Sequence, residues 1–223
     1  PRSTLDRSSA ASDVYKRQRP VRPSSDQSFA VEENLFKYHA ACYLTHAGID
    51  ALKKLKEDHN LKVDQVERIE QFVPKTHFSV CNIAEPETGL EVKFSMRHTA
   101  AMTLADVDTG SLHSYSDDIA KRPDLIKLRD KVTIIDMPFN SRMQSEVVVH
   151  LKDKGAVHQF SDAGVPESDL DKQETKLIRK FNSLVTPIFG KEASQSILDK
   201  CLKLETLDNV ADLFNEVTLS NVS

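Results

Sequence analysis

The chain has 223 residues, 39% of them hydrophobic and 29% charged, with a formal net charge of -4. That length buries a sizeable core in one large domain or two small ones, and the mild acidity, with Lys and Glu interspersed, excludes the concentrated basic face that nucleic acid requires. No apolar run approaches the roughly 18 residues of a membrane span, the small and charged first residues lack the apolar stretch of a signal peptide, and the widely spaced Cys42, Cys81 and Cys201 fit a reducing, cytoplasmic compartment better than a disulfide scaffold or a zinc site.

In chain order, residues 1–18 stand apart. After a stretch rich in Ser and Ala, Asp13-Val14-Tyr15-Lys16-Arg17-Gln18 resembles the translation of a transposase adapter from sequencing-library preparation. A natural disordered tail is the other reading. If it is an adapter, the chain begins at an arbitrary break in a longer gene. Residues 19–36, with Pro20 and Pro23, read as a linker. From Lys37 to about Asp58, Ala41, Leu44, Gly48, Leu52 and Leu55 recur at helical spacing and predict one buried stripe. Val66 to Val73 is β-branched and followed by Pro74, which predicts a strand; Thr76 to Val80 reads as a second short one. Glu85 to Gly89 is a turn by composition, and an Ala- and Met-rich helix is expected from about Phe94 to Ala105.

Val132 to Asp136, Glu146 to Leu151 and Ala156 to Phe160 are further strands, the last two joined as a hairpin through Asp153-Lys154-Gly155. Residues 37–160 are therefore expected to form an α+β two-layer domain, a sheet of about four strands covered on one face by helices. Beyond Pro166 the period becomes helical. Ser168 with Asp171 resembles a capping box. Leu177, Ile178, Phe181, Leu184, Val185 and Ile188 trace a stripe ended by Pro187 and Gly190, and helices follow over Ala193 to Leu204 and Val210 to Val217. So much apolar face in residues 165–217 needs another surface to cover it, which an absent domain would supply.

Two segments carry the candidate chemistry. Lys37, beside His39, is expected in the first turn of a helix, where a cation opposes the dipole unless a carboxylate compensates it; an ordinary exposed lysine is the alternative. Lys93, Ser95, Arg97 and His98 place donors and a titratable ring within one turn. The Arg97 fork suits a carboxylate, and His98 suits proton transfer near neutral pH. They cannot all face one way, and a solvated helix start is the other reading. Lys37 and His98 are thus the candidate catalytic residues, and His39, Lys93, Ser95 and Arg97 the candidate substrate-binding ones, for a small polycarboxylate. His46, His59, His77, His113, His150 and His158 are scattered without metal-ligand spacing and read as surface or satisfied histidines. Cys42 and Cys81 read as small buried hydrophobes. The six glycines are dispersed and form no phosphate loop, which argues against nucleotide binding.

Together these segments resemble the MmgE/PrpD family, which includes 2-methylcitrate dehydratase, cis-aconitate decarboxylase and iminodisuccinate epimerase. The resemblance rests on Lys37-Tyr38-His39-Ala40-Ala41-Cys42, Val80-Cys81 ahead of Pro86-x-Thr88-Gly89-Leu90-Glu91, and Lys93-Phe94-Ser95. It continues through Lys180-Phe181, Pro187 and Gly190 to Leu204-Glu205-x-Leu207-Asp208-x-Val210, covering roughly residues 30–217. It implies a homodimeric lyase or isomerase with a large helical domain and a smaller α+β lid, without metal or other cofactor. Such an enzyme removes a proton next to a carboxylate and then loses water or carbon dioxide, or returns the proton to the other face. Residues 37–160 would be the lid and 165–217 would rejoin the helical domain, whose N-terminal part is missing. The lysine matching Lys37 is a substrate-site residue in the decarboxylase branch, whereas His98 stands where that branch has tyrosine. The fragment alone is expected to lack turnover. A non-catalytic α+β ligand-binding or dimerisation module is the alternative.

Overall fold

The computed structural model describes residues 30–152 and 155–214. The readings of residues 1–18, of most of the linker and of residues 215–217 lie outside them. The chain divides into two compact units, the second beginning at Leu35. In the first, the described residues hold one 3-10 turn, Ala30–Glu33.

The second unit is an α+β fold. Its sheet contains β1 (Val66–Val73), β2 (Val132–Asp136), β3 (Gln144–Leu151) and β4 (Gly155–Asp162). The order is β2-β1-β3-β4, with β1 parallel to β2 and the other pairs antiparallel. A parallel pair needs a long crossover, and the helical residues between β1 and β2 provide it. Alternation along the strands turns Ile69, Val73, Val132, Ile134, Val147, Val149 and Leu151 inward onto the helices, where all are buried. Glu70 and Glu146 on the opposite face pair across strands with His150 (2.8 Å) and His158 (3.1 Å). Both belong to the scattered histidines read from the sequence as surface or satisfied. No helix among the described residues is long and apolar enough to cross a membrane.

α1 (His46–His59) buries Ile49, Leu52 and Leu55 against the sheet and ends on Asn60 in the left-handed region (φ 48°). It begins nine residues later than its apolar spacing predicts. Residues 37–42 are instead held by distant backbone, with Ala40 N–H donating to the Thr109 carbonyl (2.8 Å) and Cys42 N–H to that of Lys93 (2.9 Å). A 3-10 turn, Tyr43–Thr45, then leads into the helix. Gly48 lies against the buried side chain of Gln71, which leaves no room for a Cβ.

The strand expected over residues 76–80 is a 3-10 turn, Lys75–Ser79. His77 folds inward there, its Nε2–H donating to the Arg142 carbonyl (2.7 Å), so side-chain burial overrides the β pattern. The residues read as a plain turn end in a capping box. Thr88 and Glu91 close it at the start of α2 (Gly89–Val92), and Gly89 abuts the Tyr115 backbone too closely for any side chain. α3 (Met96–Leu104) follows within the expected range, its Ser95 N-cap accepting from His98 N–H (3.2 Å). α4 (Asp117–Ala120) and α5 (Pro123–Arg129) complete the crossover. Lys56 of α1 donates to the Leu104 carbonyl (2.7 Å) and pairs with Asp106 (2.6 Å), capping α3 at its C-terminal end.

α6 (Leu170–Leu202) is capped by Asp169 rather than Ser168 and is broken at Gly190, whose φ of 78° and ψ of 170° suit glycine alone. Pro187 lies inside the helix instead of ending it. No residue of 170–189 is fully buried; the helix buries only Ser194, Ile197 and Leu198, outside the main core cluster. The last expected helix is, over its described part, a 3-10 turn, Val210–Phe214.

Candidate active site

A buried polar cluster forms where the lead-in to α1 meets the Thr109 loop. His39 is 3% exposed and has partners at both ring nitrogens, Asp50 Oδ1 at 3.0 Å from Nε2 and Thr109 Oγ1 at 2.8 Å from Nδ1. Asp50 is half-exposed. Partial burial pushes its carboxyl up but is outweighed by the hydrogen bond from His39, with the electrostatic pull of the two imidazole rings and of the Lys53 ammonium added to it, which together hold it below the usual range. An ionised carboxylate only accepts, so Nε2 carries the proton and Nδ1 accepts from the Thr109 hydroxyl. Burial keeps His39 neutral by lowering its pKa, against the Asp50 hydrogen bond. The Thr109 carbonyl accepts from Tyr115 Oη (3.0 Å) as well as from Ala40, which fixes the loop.

One turn before Asp50 on the same helix, His46 packs against Tyr43 (ring centroids 4.5 Å apart) and edge-on to His39 (4.8 Å). It is 2% exposed, and its Nε2 has no hydrogen-bond partner among the described residues. Burial and the neighbouring His39 push its pKa down to about 3. Tyr43 is anchored in turn by its hydroxyl, which donates to the Ala163 carbonyl (2.8 Å).

Cations surround these rings. Lys37 is exposed, without a hydrogen bond or ion pair among the described residues, yet its charge acts on Cys42, His46 and Lys180. Lys180 of α6 donates to the Gly110 carbonyl (2.7 Å). Burial and then Lys37 lower its pKa, just as burial and then Arg179 lower that of Lys53. Lys53 and Arg179 also line a cleft of about 450 Å³ with Lys56, Lys62, Glu57, Asp106 and Asp108. Asp50, Glu57 and Asp108 are the carboxylates that counter these cations in the shifts of Lys53 and Lys180.

The structure brings only some of the predicted residues together. Lys37 and His39 share the lead-in, although outside any helix. Lys93 joins them indirectly: its carbonyl holds Cys42, and its ammonium lies 5.7 Å from the centroid of the Tyr115 ring that supports Thr109. Ser95 is buried as the α3 cap, and Arg97 donates to Asn82 Oδ1 (2.7 Å). His98 is 0% exposed, and its ring nitrogens make no well-formed hydrogen bond, the Ile119 backbone being the one hydrogen-bonding group that acts on the ring. Burial pushes its pKa down to about 4, with Arg129 and Arg122 adding to the shift. None of these three shares a partner with His39.

His46, Asp50 and Thr109 were not singled out by sequence reasoning. One local signal existed, because His46 and Asp50 are four residues apart and so share a helix face. Among the described residues, no group of three or more His, Cys, Asp or Glu side chains is arranged to hold a metal ion.

None of the curated proteins compared with the chain matches it. The profile of the MmgE/PrpD C-terminal domain, in contrast, matches residues 39–204, from the buried His39 through the end of α6. With the match spanning most of the α+β unit and its cationic cluster, the chain belongs to the MmgE/PrpD family and carries its C-terminal domain.

Proposed function

We propose that the cationic lead-in forms one wall of the active site of a lyase or isomerase that acts on a small di- or tricarboxylic acid. The observation that carries this reading is an imbalance of charge. Lys53 and Lys180 act on His39 and Lys37 on His46, while Lys53 and Lys180, whose pKa values are lowered first by burial, are lowered further by Arg179 and Lys37 against only Asp50, Glu57 and Asp108 as the opposing acids. A bound polycarboxylate relieves that repulsion through charge-assisted hydrogen bonds.

In this reading a carbon acid next to a carboxylate gives up its proton, and negative charge develops on that carboxylate. Lys37 and Lys180 stabilise it where it forms. His46 offers the free imidazole nitrogen of the cluster, and an anion bound beside it raises its pKa toward the range of a working base. Asp50 and Thr109 hold His39 in one tautomer against it. His98, wholly buried on the inner face of α3, serves as a positioning residue, and Arg97, tied to Asn82, orients the α3 entrance. The other wall comes from the family's N-terminal helical domain, on which a C-terminal domain depends, within a homodimer. Water loss, decarboxylation and epimerisation share this first step, and no metal is assigned a part in it.

Calorimetric titration of the chain with citrate, succinate and propionate tests the site directly. Affinity should rise with the number of carboxylates and fall steeply with added salt, and Lys37→Ala should weaken citrate by roughly 10-fold or more. Equal affinity for the three acids would refute the reading.

A further inference from the structure

The cleft of about 450 Å³ opens between the C-terminal end of α1, the end of α3 and the Arg179 turn of α6. Its size is that of a small-molecule pocket, roughly 300–1,000 Å³, and buried Leu61 and Leu104 give it an apolar lining. Lys56 is already engaged there, donating to the Leu104 carbonyl (2.7 Å) and pairing with Asp106 (2.6 Å). Lys53 and Glu57 are not. They lie four residues apart on one face of α1, the spacing at which opposite charges ordinarily pair, and both line the cleft. No ion pair forms between them, and neither makes a hydrogen bond to a described residue. Lys53 is half-buried, so its ammonium has lost hydration without gaining an acceptor. Glu57 is exposed at the mouth of the cleft, as is Arg179 across from it on α6.

We propose that this cleft binds a small amino carboxylate, whose carboxylate bridges Lys53 and Arg179 and whose ammonium is taken by Glu57. The lining selects a ligand with one charge of each sign. A polycarboxylate seated on Lys53 meets Glu57, Asp106 and Asp108, and a polyamine seated on Glu57 meets Lys53, Lys62 and Arg179. The ends of α1 and α3 add partial negative charge that favours an ammonium, and Lys56 already places its own ammonium on the α3 end. Because Lys53 and Glu57 are splayed apart rather than paired, the two charges of the ligand must be separated by a short carbon chain. The carboxylate gives the half-buried Lys53 its missing acceptor and relieves its repulsion by Arg179. Lys53 also acts on His39, so the cleft adjoins the candidate active site, but its ligand does not depend on the reaction assigned there.

Calorimetric titration of the full chain with β-alanine, 4-aminobutyrate and 5-aminopentanoate tests this, with pentanoate and pentylamine as controls that carry one charge each. The best of the three amino acids should bind at least roughly 10-fold more tightly than either control. Glu57 and Arg179 are exposed, so their amide variants leave the packing intact. Glu57→Gln should bring that amino acid down to the affinity of pentanoate, and Arg179→Gln should weaken it several-fold. Lys37→Ala lies outside the cleft and should leave its affinity unchanged while weakening citrate, which separates a failure here from a failure of the polycarboxylate reading. Equal affinity for the amino acids and the controls, a preference that survives Glu57→Gln, or loss of amino acid binding in Lys37→Ala would each overturn the proposal.

Discussion

His39 donates through Nε2 to Asp50 Oδ1 at 3.0 Å, tying a buried ring in the lead-in to a half-exposed carboxylate in the first turns of α1. Because Thr109 occupies the other ring nitrogen, the bond sets a tautomer as well as a position. Asp50→Asn should therefore cost about 1–2 kcal/mol of stability, since an amide accepts more weakly than a carboxylate. It should also lower the His39 pKa further. Urea unfolding and histidine ¹H–¹⁵N correlation spectra read the two effects separately.

Buried neutral histidines make the fold acid-sensitive. His46 and His98 have pKa values pushed down to about 3 and about 4, from an ordinary 6.5. Their stabilisation is complete above pH 6.5. As pH falls below it, the unfolded chain takes up protons that the native state refuses until those lower values are reached. Each group then removes roughly 1.4 kcal/mol per pH unit. Unfolding midpoints measured from pH 7.5 to 4.5 should fall monotonically, and a flat profile would contradict the burial of both rings.

Gly48 is held as glycine by Gln71, which fills the space a Cβ would need. Gly48→Ala should destabilise by about 1–3 kcal/mol through overpacking, despite the better helix propensity of alanine. Gln71→Ala in the same chain should recover part of that loss, and the double-mutant cycle measures how much.

The Cys42 thiol should alkylate with a pH midpoint of about 6, held down first by its neighbour Cys81 and then by the Leu44 backbone and the Lys37 charge. Cys81→Ala should move that midpoint upward toward 9, the ordinary thiol value. Iodoacetamide rates across pH 5 to 9 read the shift.

How far the sequence could be read depends on the range of the interactions. The sheet was legible because Val147, Val149 and Leu151 alternate inward regardless of what lies elsewhere, and α3 because Ser95 caps it locally. The start of α1 was not. Its helical spacing runs back to Lys37, but Ala40 and Cys42 are captured by carbonyls of Thr109 and Lys93, and His39 by a hydroxyl 70 residues away. The site followed the same rule. Lys37 and His39 stood out through residue type, while Thr109 entered only through a loop contact that no local pattern encodes. His98 was attractive as a titratable ring at a helix start, yet its position on the helix turns it into the core.

Steady-state turnover by the protein that joins this chain to the family's N-terminal domain bears most directly on the proposed site. Methylcitrate, cis-aconitate and iminodisuccinate are the substrates to compare, with and without Lys37→Ala. Losing one charge-assisted contact of about 1.5–3 kcal/mol should lower kcat/KM on the accepted substrate roughly 10- to 100-fold, and the 223-residue chain alone should show no turnover. Undiminished kcat/KM in the Lys37→Ala enzyme, or rejection of every polycarboxylate by the joined protein, would contradict a substrate-gripping role for the lead-in.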